Sequence, residues 1–178
     1  MANSTHDQNE AKAMSDRIPL LNYGVIEQQG TPQQMYGRPQ TLFSADFMGS
    51  NNRLPGHLVA MGEAGTAKIE TEGQALWGTL RGAAAATGAA ATALIRLERV
   101  RLVEGPGLPG GNRLRRPLVT SMFLGDRWEH LFMLGATRQR AYGCAPMAVR
   151  LWQRAYGSAA LQAGEHWLQL PNADLWLF

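Results

Sequence analysis

Two apolar runs that flank Gly125-Asp126 constrain the fold of this chain more than any other feature of its sequence. Glycine at the first central position of a two-residue turn is typical of a type II′ β-hairpin. Such a turn fixes the pairing of the strands over residues 118–134: Phe123 with Trp128, Ser121 with His130, and Val119 with Phe132. Both faces of this hairpin carry apolar side chains, so the sequence predicts that its strands lie centrally in a sheet.

Two other segments favour helices. Residues 71–93 are rich in alanine, and small residues recur every four positions at Gly78, Gly82, Ala86 and Ala90. This helix-packing stripe would let another backbone come close, either from the sheet of the same domain or from a partner helix. Pro146 is well placed as the first residue of a second helix, which would end near Leu161.

Short strands are predicted around these elements, at residues 57–61, 95–103, 166–170 and 175–178. The resulting order is βαβββαβ-like, with strands and helices that alternate only in part. The predicted fold class is therefore α+β, a mostly antiparallel sheet with two main helices on one face. Residues 57–178 would form this single domain.

Residues 1–56 are predicted to form an extended N-terminal arm. Turn residues run through the segment and separate short apolar clusters. These clusters would act as anchors that dock on a surface: Leu20, Leu21, Leu42, Phe43 and Phe47. A free terminal extension is the alternative interpretation.

The basic residues are concentrated in one stretch. The chain has 178 residues and a formal charge of +3, yet residues 96–154 contain eleven Arg, no Lys and four acidic residues. A Gln-Arg-Ala-Tyr-Gly sequence also occurs twice, beginning at Gln139 and Gln153. Because guanidinium groups bind carboxylates and phosphates and stack on rings, nine residues are candidates for partner or nucleic-acid binding: Arg113, Arg115, Arg116, Arg138, Arg140, Tyr142, Arg150, Arg154 and Tyr156. The alternative is that the arginines are solvated and the tyrosines packed.

Catalytic chemistry is not indicated by the sequence. A single cysteine, Cys144, excludes an internal disulfide and a cysteine-cluster metal site, and the four histidines lack metal-ligand spacing. The glycine pattern over residues 105–110 contains two prolines, which excludes a dinucleotide fingerprint. The sequence predicts no catalytic residue, no metal and no cofactor, and a protein that is not an enzyme.

The arm, the stripe and the Arg-rich stretch together predict a non-catalytic structural or interaction subunit of a larger assembly. A phage or virus particle, or a secretion or conjugation apparatus, would be the setting, with other protein subunits and copies of the chain itself as partners. One alternative is a nucleic-acid-binding protein that uses the Arg-rich loop and the Gln-Arg-Ala-Tyr-Gly repeats. A third is a small enzyme of unspecified type.

The predicted location is the cytoplasm, or a particle assembled there. Residues 1–17 lack the apolar stretch of a signal peptide. Residues 76–95 include Arg81 and too few large apolar side chains to insert, so no membrane span is predicted.

Overall fold

The structure is a computed structural model that describes residues 16–81, 86–107, 111–139 and 147–178, with side chains described outside 134–139 and 147–153. The described residues form two compact units. The first unit comprises residues 16–51 with Arg81 and Phe178. The second unit comprises residues 52–80 and the described residues between 86 and 177.

The first unit is a β-hairpin followed by two short helices, in the order β1 (Ile18–Asn22), β2 (Val25–Gly30), α1 (Pro32–Gly37) and α2 (Leu42–Met48). The hairpin turns at Tyr23 and Gly24, which have φ of 47° and 81°. Thr31 begins α1 with a capping box: its side chain accepts from the Gln34 N–H, and the Gln34 side chain accepts from the Thr31 N–H. The Thr41 side chain caps α2 by accepting from the Ser44 N–H.

A small core holds the first unit together, so residues 16–51 are not an extended arm and that part of the predicted fold class is wrong. The core side chains are Ile18, Leu20, Met35 and Met48, with Tyr36 and Phe47 packed against them. Buried Gln28 adds two hydrogen bonds, because its Nε2 donates to the Arg38 carbonyl at 3.2 Å and its Oε1 accepts from the Gln40 N–H at 3.0 Å.

The second unit is built from strands. In chain order they are β3 (Asn51–Met61), β4 (Thr66–Thr71), β5 (Gln74–Leu80), β6 (Ala90–Arg96), β7 (Arg101–Val103), β8 (Arg113–Phe123), β9 (Trp128–Gln139), β10 (Met147–Gly157), β11 (Glu165–Gln169) and β12 (Trp176–Leu177). Five of them close a barrel in the order β12-β5-β4-β3-β6, and the others form a sheet in the order β10-β9-β8-β11-β7.

The second unit contains one three-stranded motif twice. Residues 52–59 and 112–119 share the pattern Asn-Arg-Leu-x-x-x-Leu-Val at an offset of 60 residues. Each pattern leads into an antiparallel meander, which is β3-β4-β5 in the first copy (residues 52–80) and β8-β9-β10 in the second copy (residues 112–157). The ladder of β3 with β4 is bulged at Val59, and that of β8 with β9 at the equivalent Val119. An extra residue at the same place in both ladders shows that the backbone geometry is duplicated as well as the sequence.

Strand register defines which residues of the two copies are equivalent. Lys68 of β4 pairs with Trp77 of β5, as Leu131 of β9 pairs with Arg154 of β10. Counting along the strands from these pairs gives four further equivalences: Gly62 with Met122, Thr66 with Glu129, Ala67 with His130, and Gly78 with Ala155.

The two copies exchange their final strands. The first copy is followed by β6 and β7, yet β7 pairs with β11 beside the second copy. The second copy is followed by β11 and β12, yet β12 pairs with β5 and β6 in the barrel of the first copy. A 3-10 helix stands before each exchanged strand, at Leu97–Arg99 and Asn172–Asp174. Each copy therefore depends on the other half of the chain to complete its sheet.

Two equivalent asparagines bind each copy to the third strand of the other. Asn52 Nδ2 donates to the Arg154 carbonyl at 2.8 Å, and its Oδ1 accepts from the Arg154 N–H at 2.7 Å. Asn112 makes the same pair of bonds to Trp77, at 2.6 and 2.8 Å. Both asparagines are buried, so these asparagine clamps satisfy backbone groups that water does not reach.

One apolar core fills the second unit and is shared by the two copies. Leu54 and Leu114, which are equivalent in the repeated pattern, are both buried in it, as are the equivalent residues Ile69 and Phe132. Removing such side chains from water is the main stabilising contribution to a fold of this kind.

The predicted α+β fold class with two main helices is wrong, because both helical segments form strands in the described residues. Residues 71–93 contain β5, the start of β6 and a turn in which Glu72 and Gly73 have φ of 48° and 70°. Residues 147–157 form β10, which pairs with β9 along its whole length. Alanine favours a helix by intrinsic propensity, and here pairing with the neighbouring strands overrides that local preference.

The helix-packing stripe is consequently absent from the described residues. Gly78 lies in β5 and Ala90 in β6, while Ala86 lies in the connection between these strands. Gly82 lies outside the described residues. Within the described part of the chain no helix is long and apolar enough to cross a membrane.

The predicted hairpin over residues 118–134 is confirmed. Two of its predicted pairs are present, Phe123 with Trp128 and Ser121 with His130. Gly125 has the positive φ of 101° that the turn requires, and both strands have neighbours on either side in the five-stranded sheet. The bulge at Val119 places Leu118 opposite Phe132 in place of the predicted Val119.

Candidate functional site

An open groove of about 410 Å³ lies on the first copy. It is called the Trp77 groove here and is lined by residues of the β3–β4 turn, of β5 and of the second 3-10 helix: Gly62, Glu63, Thr66, Trp77, Gly78 and Asn172. Its size is within the range of small-molecule sites, and an aromatic ring, a carboxylate and an amide share its wall.

The β3–β4 turn is what brings Glu63 to this groove. The Gly62 N–H donates to the Thr66 carbonyl at 2.9 Å, and the Thr66 hydroxyl donates back to the Glu63 carbonyl at 2.7 Å. Ala64 and Gly65 complete the reversal with φ of 52° and 73°. Glycine is required at position 62, because a Cβ there would lie 2.8 Å from Cζ3 of the Trp77 ring.

Trp77 is held in place at its backbone and at its ring. Asn112 fixes the backbone through the clamp described above. Lys68, the cross-strand neighbour of Trp77, places its Nζ 5.8 Å from the ring centroid. This is a cation–π contact, so the indole already attracts an ammonium group within the protein itself.

The charge in the groove is that of Glu63. Among the described residues no lysine, arginine or histidine nitrogen lies within ion-pair distance of this carboxylate. A carboxylate without a cationic partner, beside an aromatic face and an amide, is a donor set that suits a cation.

The equivalent positions of the second copy hold a different arrangement. Arg154 stands where the first copy has Trp77, and Glu129 where it has Thr66. These two side chains pair with each other, with Arg154 Nη1 3.6 Å from Glu129 Oε1. The second copy therefore pairs its own acid with its own cation at this place. In the first copy the Glu63 carboxylate has no such partner among the described residues, and the Lys68 ammonium lies over the Trp77 ring instead.

A buried histidine is the other unusual group in the second copy. His130 replaces the Ala67 of the first copy and is fully buried. Its Nδ1 is 2.9 Å from the Ser121 hydroxyl, and its Nε2 has no hydrogen-bond partner in the described residues. The ring packs against Gly157, where any Cβ would collide with it. Burial lowers the pKa of His130, and the neighbouring His166 lowers this pKa further.

The predicted Arg-rich binding residues are distributed over several strands. Arg113, Arg115 and Arg116 lie on β8, where Arg115 pairs with Glu165 at 3.0 Å and Arg113 donates to the carbonyls of Glu104 and Gly105. Burial lowers the pKa of Arg116. Of these three residues, Arg113 and Arg115 thus have partners within the chain and Arg116 is partly buried. Their role in binding stays a prediction.

The repeat residues are less completely described. Arg154 and Tyr156 lie on β10, and the Tyr156 ring lies 4.9 Å beneath the Arg127 guanidinium. Burial raises the pKa of Tyr156. Arg138 lies on β9 and Arg150 on β10, with side chains outside the described set, while Arg140 and Tyr142 lie outside the described residues.

The predicted arm anchors lie in the first unit. Leu20 is buried in its core and Phe47 packs against that core. Leu42 is half-buried at the start of α2, whereas Leu21 and Phe43 are exposed. These five residues therefore do not form one continuous set of free anchors.

The sequence reasoning missed Glu63, Trp77, Asn52, Asn112 and Asn172. A signal for the clamps was present in the Asn-Arg-Leu-x-x-x-Leu-Val repeat at an offset of 60 residues. Some of the predicted binding residues came instead from the shorter repeat at an offset of 14 residues, whose second occurrence lies in β10. Glu63 and Asn172 stand in turns without a local pattern, so only the fold brings them together.

Comparisons with known proteins give short stretches of high identity and one likeness of fold. No protein-family model matches the chain. It is 53% identical over 57 residues to the spermidine/putrescine import ATP-binding protein PotA of Trichormus variabilis, covering 32% of this chain and 15% of that protein. It is 59% identical over 51 residues to the Fe(3+) ions import ATP-binding protein FbpC 2 of Rhizobium meliloti, covering 29% and 13%. The matches thus span only about a seventh of these relatives' length.

The fold is similar to that of a solved structure. The cytoplasmic molybdate-binding protein ModG, with molybdate bound, matches with a TM-score of 0.50 and 15% sequence identity. The match covers 71% of this chain and 94% of that protein. At this identity the likeness shows a shared β fold.

These comparisons correct the predicted function. The predicted structural subunit of a phage or virus particle, or of a secretion or conjugation apparatus, is wrong, because the curated proteins that match stretches of this chain are ATP-binding proteins of importers.

Proposed function

We propose that this chain is an accessory, non-hydrolysing part of the ATP-binding subunit of an importer for a small cation. The observation that carries the proposal is the identity of 53% over 57 residues and 59% over 51 residues with ATP-binding proteins of polyamine and ferric-iron import. Identity at this level over such lengths supports common ancestry of that segment, while cargo and partners belong to the proposal.

The accessory role follows from what these 178 residues contain. ATP hydrolysis in such subunits depends on a phosphate-binding loop of the form G-x-x-x-x-G-K-[ST]. The chain has only two lysines, Lys12 and Lys68, and neither follows a glycine in that pattern. The chemistry of ATP would therefore be performed by residues outside this sequence, and we propose that the chain itself is not catalytic.

The second unit would supply a small-molecule site to the importer. Its fold likeness to a molybdate-binding protein supports a binding role for a β unit of this kind. The Trp77 groove supplies a place of suitable size. Since ATP is used on the cytoplasmic side of the membrane, we propose that the chain works there.

Uptake in cells tests the importer assignment. Cells that lack the gene are compared with cells in which it is restored on a plasmid, using labelled putrescine, spermidine and ferric iron. We expect uptake of one of these cations to fall at least about tenfold and to recover with the restored gene, since import depends on a complete ATP-binding subunit. Unchanged uptake of all three would contradict the proposal.

A further inference from the structure

We propose that the Trp77 groove binds the ammonium group of a small linear alkylamine, of which a diamine is the simplest suitable example. The inference rests on the proposed function, because it names the class of ligand for the small-molecule site of that function, and binding to the purified chain tests it separately from uptake. It rests on the wall of the groove and on the equivalent positions of the second copy.

The wall of the groove has the two features that bind an organic ammonium group. The Trp77 ring supplies a negative π face, and Glu63 supplies a carboxylate that no described cationic side chain pairs with. The ring already holds the ammonium group of Lys68 at 5.8 Å, and Lys68 is not among the residues that line the groove. Tryptophan is the side chain that attracts cations best through its ring.

The second copy indicates which component is missing from the first. There Arg154 takes the place of Trp77, and its guanidinium binds the Glu129 carboxylate. In the first copy the cationic side chain is replaced by an aromatic one, and the carboxylate is moved to the turn at Glu63. A ligand ammonium group would restore at this place the acid–cation pairing that the second copy makes within the chain.

The remaining features of the groove select among cations. A bare divalent metal ion needs several oxygen ligands, and no group of three or more potential metal-binding side chains occurs in the described residues. An anion such as molybdate would be repelled by Glu63. The Asn172 amide can accept a hydrogen bond from an amine, and the open side leaves room for an alkyl chain.

Isothermal titration of the purified chain with putrescine tests the proposal, with 1,4-butanediol as a neutral analogue of the same length. We expect saturable binding of putrescine and none of butanediol. Glu63→Gln should weaken putrescine binding roughly tenfold, because it removes the ionic partner and keeps the shape of the side chain. Trp77→Phe should retain part of the affinity and Trp77→Leu should lose it, since only an aromatic ring attracts the cation.

The matched control is Glu104→Gln, which changes an exposed carboxylate outside the groove and should leave binding unaltered. Circular dichroism of each variant separates loss of the site from loss of the fold, and Glu63→Gln decides the question if the Trp77 variants unfold. Equal binding of butanediol, an unaffected Glu63→Gln variant, or no binding by folded protein at roughly 10 mM putrescine would overturn the proposal. These outcomes are independent of the uptake experiment, so either proposal can fail alone.

Discussion

The first copy and the second copy of the three-stranded motif share a bulge, an asparagine clamp and an exchanged final strand, yet they differ at the equivalent of Trp77. In the second copy Arg154 and Glu129 pair with each other. In the first copy Trp77 lines a groove in which Glu63 has no cationic partner among the described residues. When two copies of a motif share a backbone and differ in a few side chains, the differing side chains indicate where a functional site lies.

The buried core that the two copies share stabilises the second unit, and the Glu63 side chain of the groove lies outside that core. Leu54 and Leu114 are buried equivalently, whereas Glu63 lies exposed in a turn. Variants of the shared core should therefore lower the stability of both copies alike, and variants of Glu63 should affect ligand binding alone.

The largest expected effect comes from the asparagine clamps. Asn112→Ala would leave the Trp77 N–H and carbonyl without their side-chain partner, and Asn52→Ala would do the same to Arg154. We expect each change to lower the free energy of unfolding by about 2–4 kcal/mol, measured by urea denaturation. Equal losses of stability in the two variants would confirm that the two clamps are equivalent. A loss of stability in only one variant would contradict that equivalence.

A smaller effect is expected from exchanging the small residues that differ between the copies. In Gly78→Ala the new Cβ would lie 2.7 Å from the Leu175 carbonyl oxygen, so the backbone of the exchanged segment must move. The expected loss is about 1–3 kcal/mol in thermal or urea unfolding. The matched variant Ala155→Gly creates no clash and should cost about 1–2 kcal/mol, because it removes a buried methyl group and adds backbone freedom to the unfolded chain. A Gly78→Ala variant as stable as the wild type would contradict the close packing of the first copy.

The free energy of unfolding should depend on pH through His130, whereas the equivalent Ala67 of the first copy has no titratable side chain. Because burial keeps its pKa in the folded state below the ordinary value near 6.5, the unfolded chain binds a proton first as the pH falls. The contribution of neutral His130 is complete above about pH 6.5 and is lost as the pH falls through its folded-state pKa. The free energy of unfolding should fall by up to about 1.4 kcal/mol per pH unit as the pH decreases from about 6.5 to the folded-state pKa of His130. Urea denaturation at a series of pH values between about 7.5 and 5 measures this fall.

The variant His130→Gln should reduce this pH dependence, because it removes the buried group whose pKa is lowered. An unaltered pH profile in His130→Gln would assign the dependence to other groups.

The smallest expected effect comes from the ion pair of the second copy. Arg154→Ala leaves the largely buried Glu129 without its cation, but the Arg154 side chain is 39% exposed, so solvent screens the pair. We expect a loss of about 0.5–1 kcal/mol in urea unfolding, recovered in part by adding Glu129→Gln. A loss as large as that of the clamps would show that the pair is a structural element rather than a counterpart of the groove.

Sequence reasoning succeeded where a local pattern determines the structure. The turn at Gly125 and the apolar runs on either side predicted the β8–β9 hairpin and two of its cross-strand pairs correctly. A residue that must adopt positive φ, flanked by alternating side chains, leaves the chain little choice.

The same reasoning failed where the partner of a segment decides its structure. Residues 71–93 and 147–157 are rich in small or amphipathic residues, which fit a helix in isolation and a strand beside β4 or β9. The groove could not be predicted either, because Glu63, Trp77 and Asn172 meet only through a strand that is exchanged between the copies. The repeated asparagine pattern was the one accessible sign of that exchange.

The most direct test of the central claim, that the first copy holds an open cation site where the second copy pairs its own side chains, is a putrescine titration followed by NMR. The chain has five tryptophans, so a ¹⁵N-labelled sample gives five indole N–H signals, and Trp77→Phe identifies the signal of Trp77. We predict that putrescine shifts the Trp77 signal in a saturable way, that it leaves the Trp128 signal of the second copy in place, and that butanediol shifts none. A Trp77 signal that stays fixed in folded protein, or shifts that centre on the tryptophans of the second copy, would contradict the account.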